Sequence, residues 1–167
     1  MKLVLATQNP KKLKEMNEIL SHLGVEVVSE AELGVRIEVE ETGETFTDNA
    51  RLKATAVMQA TGLPAVADDS GLCVDALNGG PGVYSARFGG EGLDDKGRYT
   101  LLLEMLRGQT DRAAHFHTSI VCAFPNGDEL VCEGECPGTI AFAPMGEGGF
   151  GYDPVFFVPC LLYTSPS

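Results

Sequence analysis

Thr7-Gln8-Asn9-Pro10-Lys11-Lys12 sets a hydroxyl, side-chain amides and two ammonium groups between a short apolar run and the first helical periodicity of the chain. Such a loop suits an anion. N–H groups at a helix start point outward, the macrodipole favours negative charge there, and a lysine adds a compact positive charge for phosphate oxygens. The run lacks the glycines of a P-loop or a dinucleotide fingerprint, and it also fits an ordinary polar cap with solvated lysines. Glu38, Glu40 and Glu41, followed by Thr42-Gly43-Glu44, form one acidic group, and Asp68-Asp69 form another. Carboxylates from two places in the chain could share a hard cation, since magnesium takes oxygen ligands and typically uses one or two protein carboxylates together with substrate phosphates. An aspartate beside that cation could deprotonate an attacking water. The plain alternative is a solvated edge strand and a polar turn. In the third group, Gly146 to Pro154, glycines flank Phe150 and Tyr152 and are followed by Asp153. Aromatic faces can stack on a nucleobase, glycines let backbone approach it closely, and Asp153 can accept a hydrogen bond. A tight turn whose rings fill the core fits the same residues.

Other combinations lead less far. His115 and His117 share one face of an extended segment, as metal ligands would, but no third ligand has suitable spacing, so a satisfied or exposed pair is expected. Cys132-x3-Cys136 lacks the partner pair that zinc needs. The chain has no Gly-x-Ser-x-Gly elbow to support a serine hydrolase.

The elements that must position these groups follow from periodicity. Leu3 to Ala6 reads as a strand, and Leu13, Met16, Leu20 and Leu23 recur at helical spacing until Gly24. With a second strand at Val25 to Val28 this is a βαβ unit whose first loop lies at the carboxyl end of a strand, the edge that ligands favour. Thr45-Phe46-Thr47-Asp48 has the spacing of a helix start, and the alanine-rich stretch through Ala60 ends at Gly62. Ala65-Val66-Ala67 is a short buried strand expected to deliver Asp68-Asp69-Ser70-Gly71 at its end, with extended structure resuming at Leu72. Residues 78–92 contain six glycines and a proline and predict a long, mobile loop. Asp94-Asp95 open a third helix with Tyr99, Leu102, Leu103 and Leu106 as its apolar stripe. Ala114 to Phe124, a Pro125-Asn126-Gly127-Asp128 turn, and Leu130 with Cys132 predict a hairpin. The pattern is that of a single α/β domain with a mixed sheet.

Composition bounds the partners. With 167 residues, 44% of them hydrophobic, the chain can bury a genuine core. Twelve basic against 24 acidic residues give a net charge of −12, which repels nucleic-acid polymers and anionic membranes. A triphosphate can still bind where a divalent cation or a few lysines reverse the field. Five cysteines, an odd number, and a first segment that starts a strand rather than an apolar leader suggest reduced thiols in the cytoplasm. No apolar run approaches the roughly 20 residues of a membrane helix.

In this order Thr7-Gln8-Asn9-x-x-Lys12, Glu40-Glu41-Thr42-Gly43, Ala67-Asp68-Asp69-Ser70-Gly71, Gly80-Pro81-Gly82-x-Tyr84-Ser85-Ala86-Arg87 and Gly149-Phe150-Gly151-Tyr152-Asp153-Pro154 resemble the inosine triphosphate pyrophosphatase family. The resemblance implies an elongated mixed β-sheet with flanking helices, two lobes around a central cleft, a homodimer, and magnesium-dependent hydrolysis of ITP, dITP and XTP to the monophosphate and pyrophosphate. It assigns Thr7, Gln8, Asn9, Pro10, Lys11 and Lys12 to the triphosphate, and Glu40, or alternatively Glu41, with Asp69 to magnesium. Asp69 would also activate water, Ser70 would contact substrate, and Phe150, Gly151, Tyr152 and Asp153 would line the base pocket. Gln8 stands where many relatives carry a small residue. Past Pro159 the family continues into a helical, purine-reading segment that Cys160 to Ser167 do not resemble. This predicts a pyrophosphatase domain over 1–159, a foreign or truncated tail over 160–167, and, as an alternative function, a catalytically impaired nucleotide-binding fragment.

Overall fold

The structure, a computed structural model, describes residues 1–7, 10–145 and 151–158. Gln8, Asn9, Phe150 and the tail 160–167 lie outside the described residues. The elements are β1 (Lys2–Leu5), α1 (Pro10–Ser21), β2 (Glu26–Ser29), α2 (Phe46–Thr61), β3 (Ala65–Val74), β4 (Gly80–Pro81), α3 (Asp95–Met105), β5 (Ala113–Ala123), β6 (Glu129–Ile140) and β7 (Phe156–Phe157). Among the described residues the sheet runs β2-β1-β3-β5-β6-β7, with β4 beside β3. β1 pairs parallel with β2 and with β3, whereas β4 and β7 pair antiparallel with β3 and β6, so the sheet is mixed as expected. The chain divides into two compact units, Met1–Asp69 with Thr118–Glu133, and Ser70–His117 with Gly134–Ser167.

In the first unit β1 lies between two parallel neighbours. The chain leaves β1 toward β2 on one side and returns to β3 on the other, so the loop after β1 sits at a switch point of the strand order, where ligands bind in open α/β sheets. Leu13, Met16 and Leu20 of α1 cover one face of the sheet, packing on Leu3, Leu5, Val27 and Val66. α2 covers the other face, where the small side chains of Ala50 and Ala54 meet Ala67 and Val57 meets Val4, Val28 and Ala65. Thr45 caps α2 by accepting the Asp48 N–H at 3.0 Å, and Gly62 ends it with φ 70°, a left-handed conformation that glycine adopts without penalty.

The second unit is built on Leu72, Val74, Leu102, Leu106, Ala114, Ile140, Tyr152 and Val155. Asp94 caps α3 through the Gly97 N–H at 2.8 Å. The buried Arg112 donates to the carbonyls of Leu106 at 3.0 Å, Ile140 at 3.0 Å and Ala141 at 2.7 Å, so the carbonyl just past α3 does not go unpaired. Residues 78–92 are not the plain loop that their composition suggests. They hold β4 and a 3-10 turn over Gly82–Arg87, and Ser85 Oγ ties that turn to β3 by accepting the Leu72 N–H at 2.9 Å and donating to the Gly82 carbonyl at 2.6 Å.

A second difference matters more for chemistry. β3 does not stop at Ala67 but continues through Val74, so Asp68 and Asp69 stand within a strand rather than in a turn. A strand continues through two acids when both are satisfied, and α1 and α2 each supply one of the partners described next.

Candidate active site

Consecutive strand residues point to opposite faces, and β3 uses this to separate its two aspartates. Asp68 shares the face of Val66, the α1 side, where Lys12 Nζ meets its Oδ2 at 2.8 Å. Asp69 shares the face of Ala67, the α2 side, where Asn49 Nδ2 donates to its Oδ2 at 3.1 Å. Asn49 is fully buried, and its Oδ1 accepts the Gly43 N–H at 2.7 Å. One amide thus holds both the carboxylate and the loop that carries the glutamates. Gly43 cannot be larger here, because a Cβ on it would lie 2.6 Å from Asp48 Cβ and 2.7 Å from Asn49 Oδ1.

Lys53, one helical turn after Asn49 on the same side of α2, brings the opposite charge. Its Nζ lies 3.2 Å from Glu41 Oε1 and donates to the Asp68 carbonyl at 2.7 Å. Around Asp69 this collects an amide, an ammonium and the neighbouring carboxylates Glu41 and Asp68. Asp69 is only 9% exposed, and desolvation pushes its pKa above the ordinary carboxylate value. The Asn49 hydrogen bond and the charge of Lys53 oppose that shift, while the charges of Glu41 and Asp68 add to it.

The two adjacent glutamates, inseparable in sequence, differ in placement. From Leu33 to Glu41 odd positions are half-buried and even ones exposed, so Glu41 turns inward with Val35, Ile37 and Val39 while Glu38 and Glu40 face solvent. Glu41 is the one whose charge acts on Asp69.

The loop after β1 borders two cavities. One of about 400 Å³ is lined by Thr7, Pro10, Leu13, Ser29, Glu30, Ala31, Val35 and Arg36. The other, about 260 Å³, is shared by Thr7, Glu30, Val39 and Lys53 among others. Lys12 instead borders a third, of about 160 Å³, with Asp68, Glu15 and Met16. The structure therefore brings Thr7 to Lys53 and Lys12 to Asp68, rather than gathering Thr7, Lys12 and Asp69 around one cavity. Pro10 and Lys11 open α1 and are exposed.

Sequence reasoning missed three residues. Asn49 and Lys53 are a polar i, i+4 pair beside the buried Ala50 and Ala54 of α2, a readable signal, because polar groups bordering a buried stripe need partners. Glu30 left no signal. It is a buried carboxyl lining both cavities beside Thr7, its Oε1 has no hydrogen-bond partner among the described residues, and desolvation raises its pKa against the pull of an Ile37 backbone hydrogen bond.

In the second unit Ser70 is exposed on β3, directly after Asp69 in the chain. Gly151 N–H donates to Asp95 Oδ2 at 3.3 Å, and Asp153 is exposed. The Tyr152 ring does not present a stacking face. It is 6% exposed within the core, its hydroxyl donates to the Ser85 carbonyl at 2.7 Å, and burial pushes its pKa up to about 12. An aromatic next to apolar Val155 gains more by filling the core than by facing water.

The model of the Ham1 family matches residues 3–165. The chain belongs to the Ham1 family. It is 50% identical over 165 residues to a protein of Exiguobacterium sp. named dITP/XTP pyrophosphatase, an alignment covering 99% of this chain and 84% of the relative. It is 54% identical over 161 residues to the Desulforamulus reducens protein of that name, covering 95% and 80%. The solved structure of a HAM1 protein from Coxiella burnetii superposes with a TM-score of 0.91 at 44% identity, over 96% of this chain and 83% of that one. The family match reaches residue 165, so the reading of residues 160–167 as a foreign or truncated tail finds no support. With relatives of one name matched over nearly the whole chain, the impaired-fragment alternative is not favoured.

Proposed function

We propose that this chain hydrolyses the non-standard purine nucleoside triphosphates dITP, ITP and XTP to the monophosphate and pyrophosphate, clearing damaged purines from the nucleotide pool. The observation that carries this reading is the Asp69 cluster, a buried carboxylate with Glu41, Asn49 and Lys53 at the switch point between the parallel strands of the mixed sheet. The names of the relatives give the substrate class.

The donor set fits magnesium. Asp69 and Glu41 offer hard carboxylate oxygens, and their mutual repulsion in a desolvated place, with Lys53 as the ammonium between them and Asp68 paired to Lys12, is relieved by a divalent cation. Glu41 and Asp69 would hold it, with Glu40 the alternative at the exposed neighbouring position. When bound, the cation neutralises phosphate charge and lowers the pKa of water. The residues themselves do the rest. Asp69 takes a proton from water as the water oxygen bonds to the α-phosphorus, and the bond from that phosphorus to the bridging oxygen breaks to release pyrophosphate. Asn49 fixes the Asp69 carboxylate in place. Thr7 and Lys53 face the triphosphate from their shared cavity, joined by Gln8 and Asn9 of the loop after β1 and by Pro10, Lys11 and Lys12 of the first turn of α1. Ser70 contacts substrate, and Phe150, Gly151 and Asp153, with the backbone of Tyr152, line the place of the base.

The remaining proposals concern setting. A homodimer is supported by the family resemblance and by Phe142 and Met145, large apolar residues 80% and 69% exposed, and sedimentation of the purified chain tests it. Among the described residues no helix is long and apolar enough to cross a membrane, and Cys73, Cys122, Cys132 and Cys136 are free thiols; both fit a cytoplasmic setting, which fractionation of cells tests. The activity itself is tested by pyrophosphate release across a panel of triphosphates with magnesium and with chelator. Pyrophosphate from ITP, dITP or XTP that needs the metal is expected. Orthophosphate as the only product, or equal rates on ATP, would refute it.

A further inference from the structure

Sequence spacing offers His115 and His117 no third ligand, but the fold does. β5 and β6 are neighbouring strands joined by a turn in which the Phe124 N–H donates to the Asp128 carbonyl at 3.0 Å. Equal steps back along both strands from that bond bring His117 opposite Glu135. Accordingly, His117 Nδ1 lies 3.2 Å and His115 Nε2 3.8 Å from one oxygen, Oε1 of Glu135. One ligand atom from each of the three residues lies within 4.8 Å of the other two.

We propose that His115, His117 and Glu135 bind a divalent transition metal of the zinc class. Donor atoms about 2.0–2.1 Å from a tetrahedral ion stand roughly 3.3–3.4 Å apart. The two separations from Glu135 Oε1 bracket that value, and the two imidazole nitrogens lie within 4.8 Å of each other, so side-chain rotations that draw the imidazoles together complete the set. Two imidazole nitrogens and one carboxylate form a donor set that zinc, cobalt(II) and copper(II) take readily, whereas magnesium prefers oxygen alone. The side chains are reachable, with Glu135 59%, His115 32% and His117 18% exposed, so the fourth position belongs to water. A net charge of −12 raises the local concentration of any cation. The ion would tie β5 to β6 through side chains as well as backbone. This set shares no residue with the Asp69 cluster, so its success or failure leaves the pyrophosphatase reading untouched.

Zinc alone is the probe, added to the full chain in excess magnesium so that hard-oxygen sites are filled. Equilibrium dialysis is expected to retain about one zinc per chain, with affinity falling on the order of 10- to 100-fold or more in His115→Gln and His117→Gln. In the unaltered protein, zinc is expected to shift the imidazole NMR signals of His115 and His117 and leave those of His22 in place, a readout that does not depend on whether a variant folds. Zinc that fails to bind, or binds while both signals stay fixed, overturns the proposal. A cobalt(II) spectrum dominated by sulfur charge transfer also overturns it, by assigning the metal to the cysteines.

Discussion

Asp69 is an acid placed where its charge is costly, and the cost can be measured. Its folded pKa lies above the ordinary carboxylate value, so its ionisation lowers stability as pH rises through that raised value and has no effect well below the ordinary one. Asp69→Asn keeps an acceptor for Asn49 and removes the charge. In chelator at neutral pH the variant is expected to melt above the parent, the difference closing as pH falls below the carboxylate range. Its pyrophosphate release is expected to fall roughly 10²–10⁴-fold, the worth of a positioned base. A variant with full turnover would remove Asp69 from the chemistry. Lys53 makes the second test. A hydrogen bond to a charged group contributes roughly 1.5–3 kcal/mol, so Lys53→Gln is expected to lower kcat/KM for the triphosphate about 10- to 100-fold. Glu41→Gln is expected to raise the magnesium concentration needed for half-maximal rate, and Glu40→Gln to leave it near the parent's, because Glu41 faces Asp69 and Glu40 faces solvent. The opposite result would return the ligand role to Glu40.

At the scale of elements, α2 and the extended segment before it form one device. Thr45 caps the helix, Asn49 and Lys53 project from its next turns, and Gly43 lets the segment lie against Asn49 without a side chain between them. Gly43→Ala forces the Asp48 and Asn49 groups to give way, at about 1–3 kcal/mol for overpacking. Because Asn49 holds Asp69, the variant is expected to lose kcat as well as melting temperature. An unchanged kcat in a folded protein would show that Asn49 does not position the base. α3 packs through Leu102. Leu102 is fully buried among Leu72, Val74 and Leu106, and Leu102→Ala is expected to cost about 2–5 kcal/mol in denaturant unfolding.

At the scale of the whole molecule, charge decides what kind of anion the protein meets. A protein held to nucleic acid by 6–10 phosphate contacts loses about 10³–10⁵ in affinity between about 50 and 200 mM salt. Here 24 acidic residues outnumber 12 basic ones; Lys53 is the ammonium whose charge acts on Asp69, and Lys12 is paired with Asp68. Over the same salt range kcat/KM for a triphosphate is expected to change by less than about tenfold, and a steep loss would reveal a polycationic surface that the composition does not contain.

Local patterns in the chain determined the βαβ start, the capped second helix, the third helix and the hairpin, because apolar periodicity, caps and turn residues act between neighbours in sequence. The acidic dyad and the loop after the first strand were legible as chemistry for the same reason, since residue type alone limits what they can bind. Which aspartate faces which lysine was not. That depends on β3 continuing past Val66, where β1 ends, so that the alternation of a strand sends Asp68 to α1 and Asp69 to α2. Likewise Glu41 rather than Glu40 turns inward, Tyr152 goes to the core, and Glu135 completes a set with two histidines only when register and packing are fixed. These are contacts between residues far apart in the chain, set by which faces can be buried together, and no local pattern carries that information.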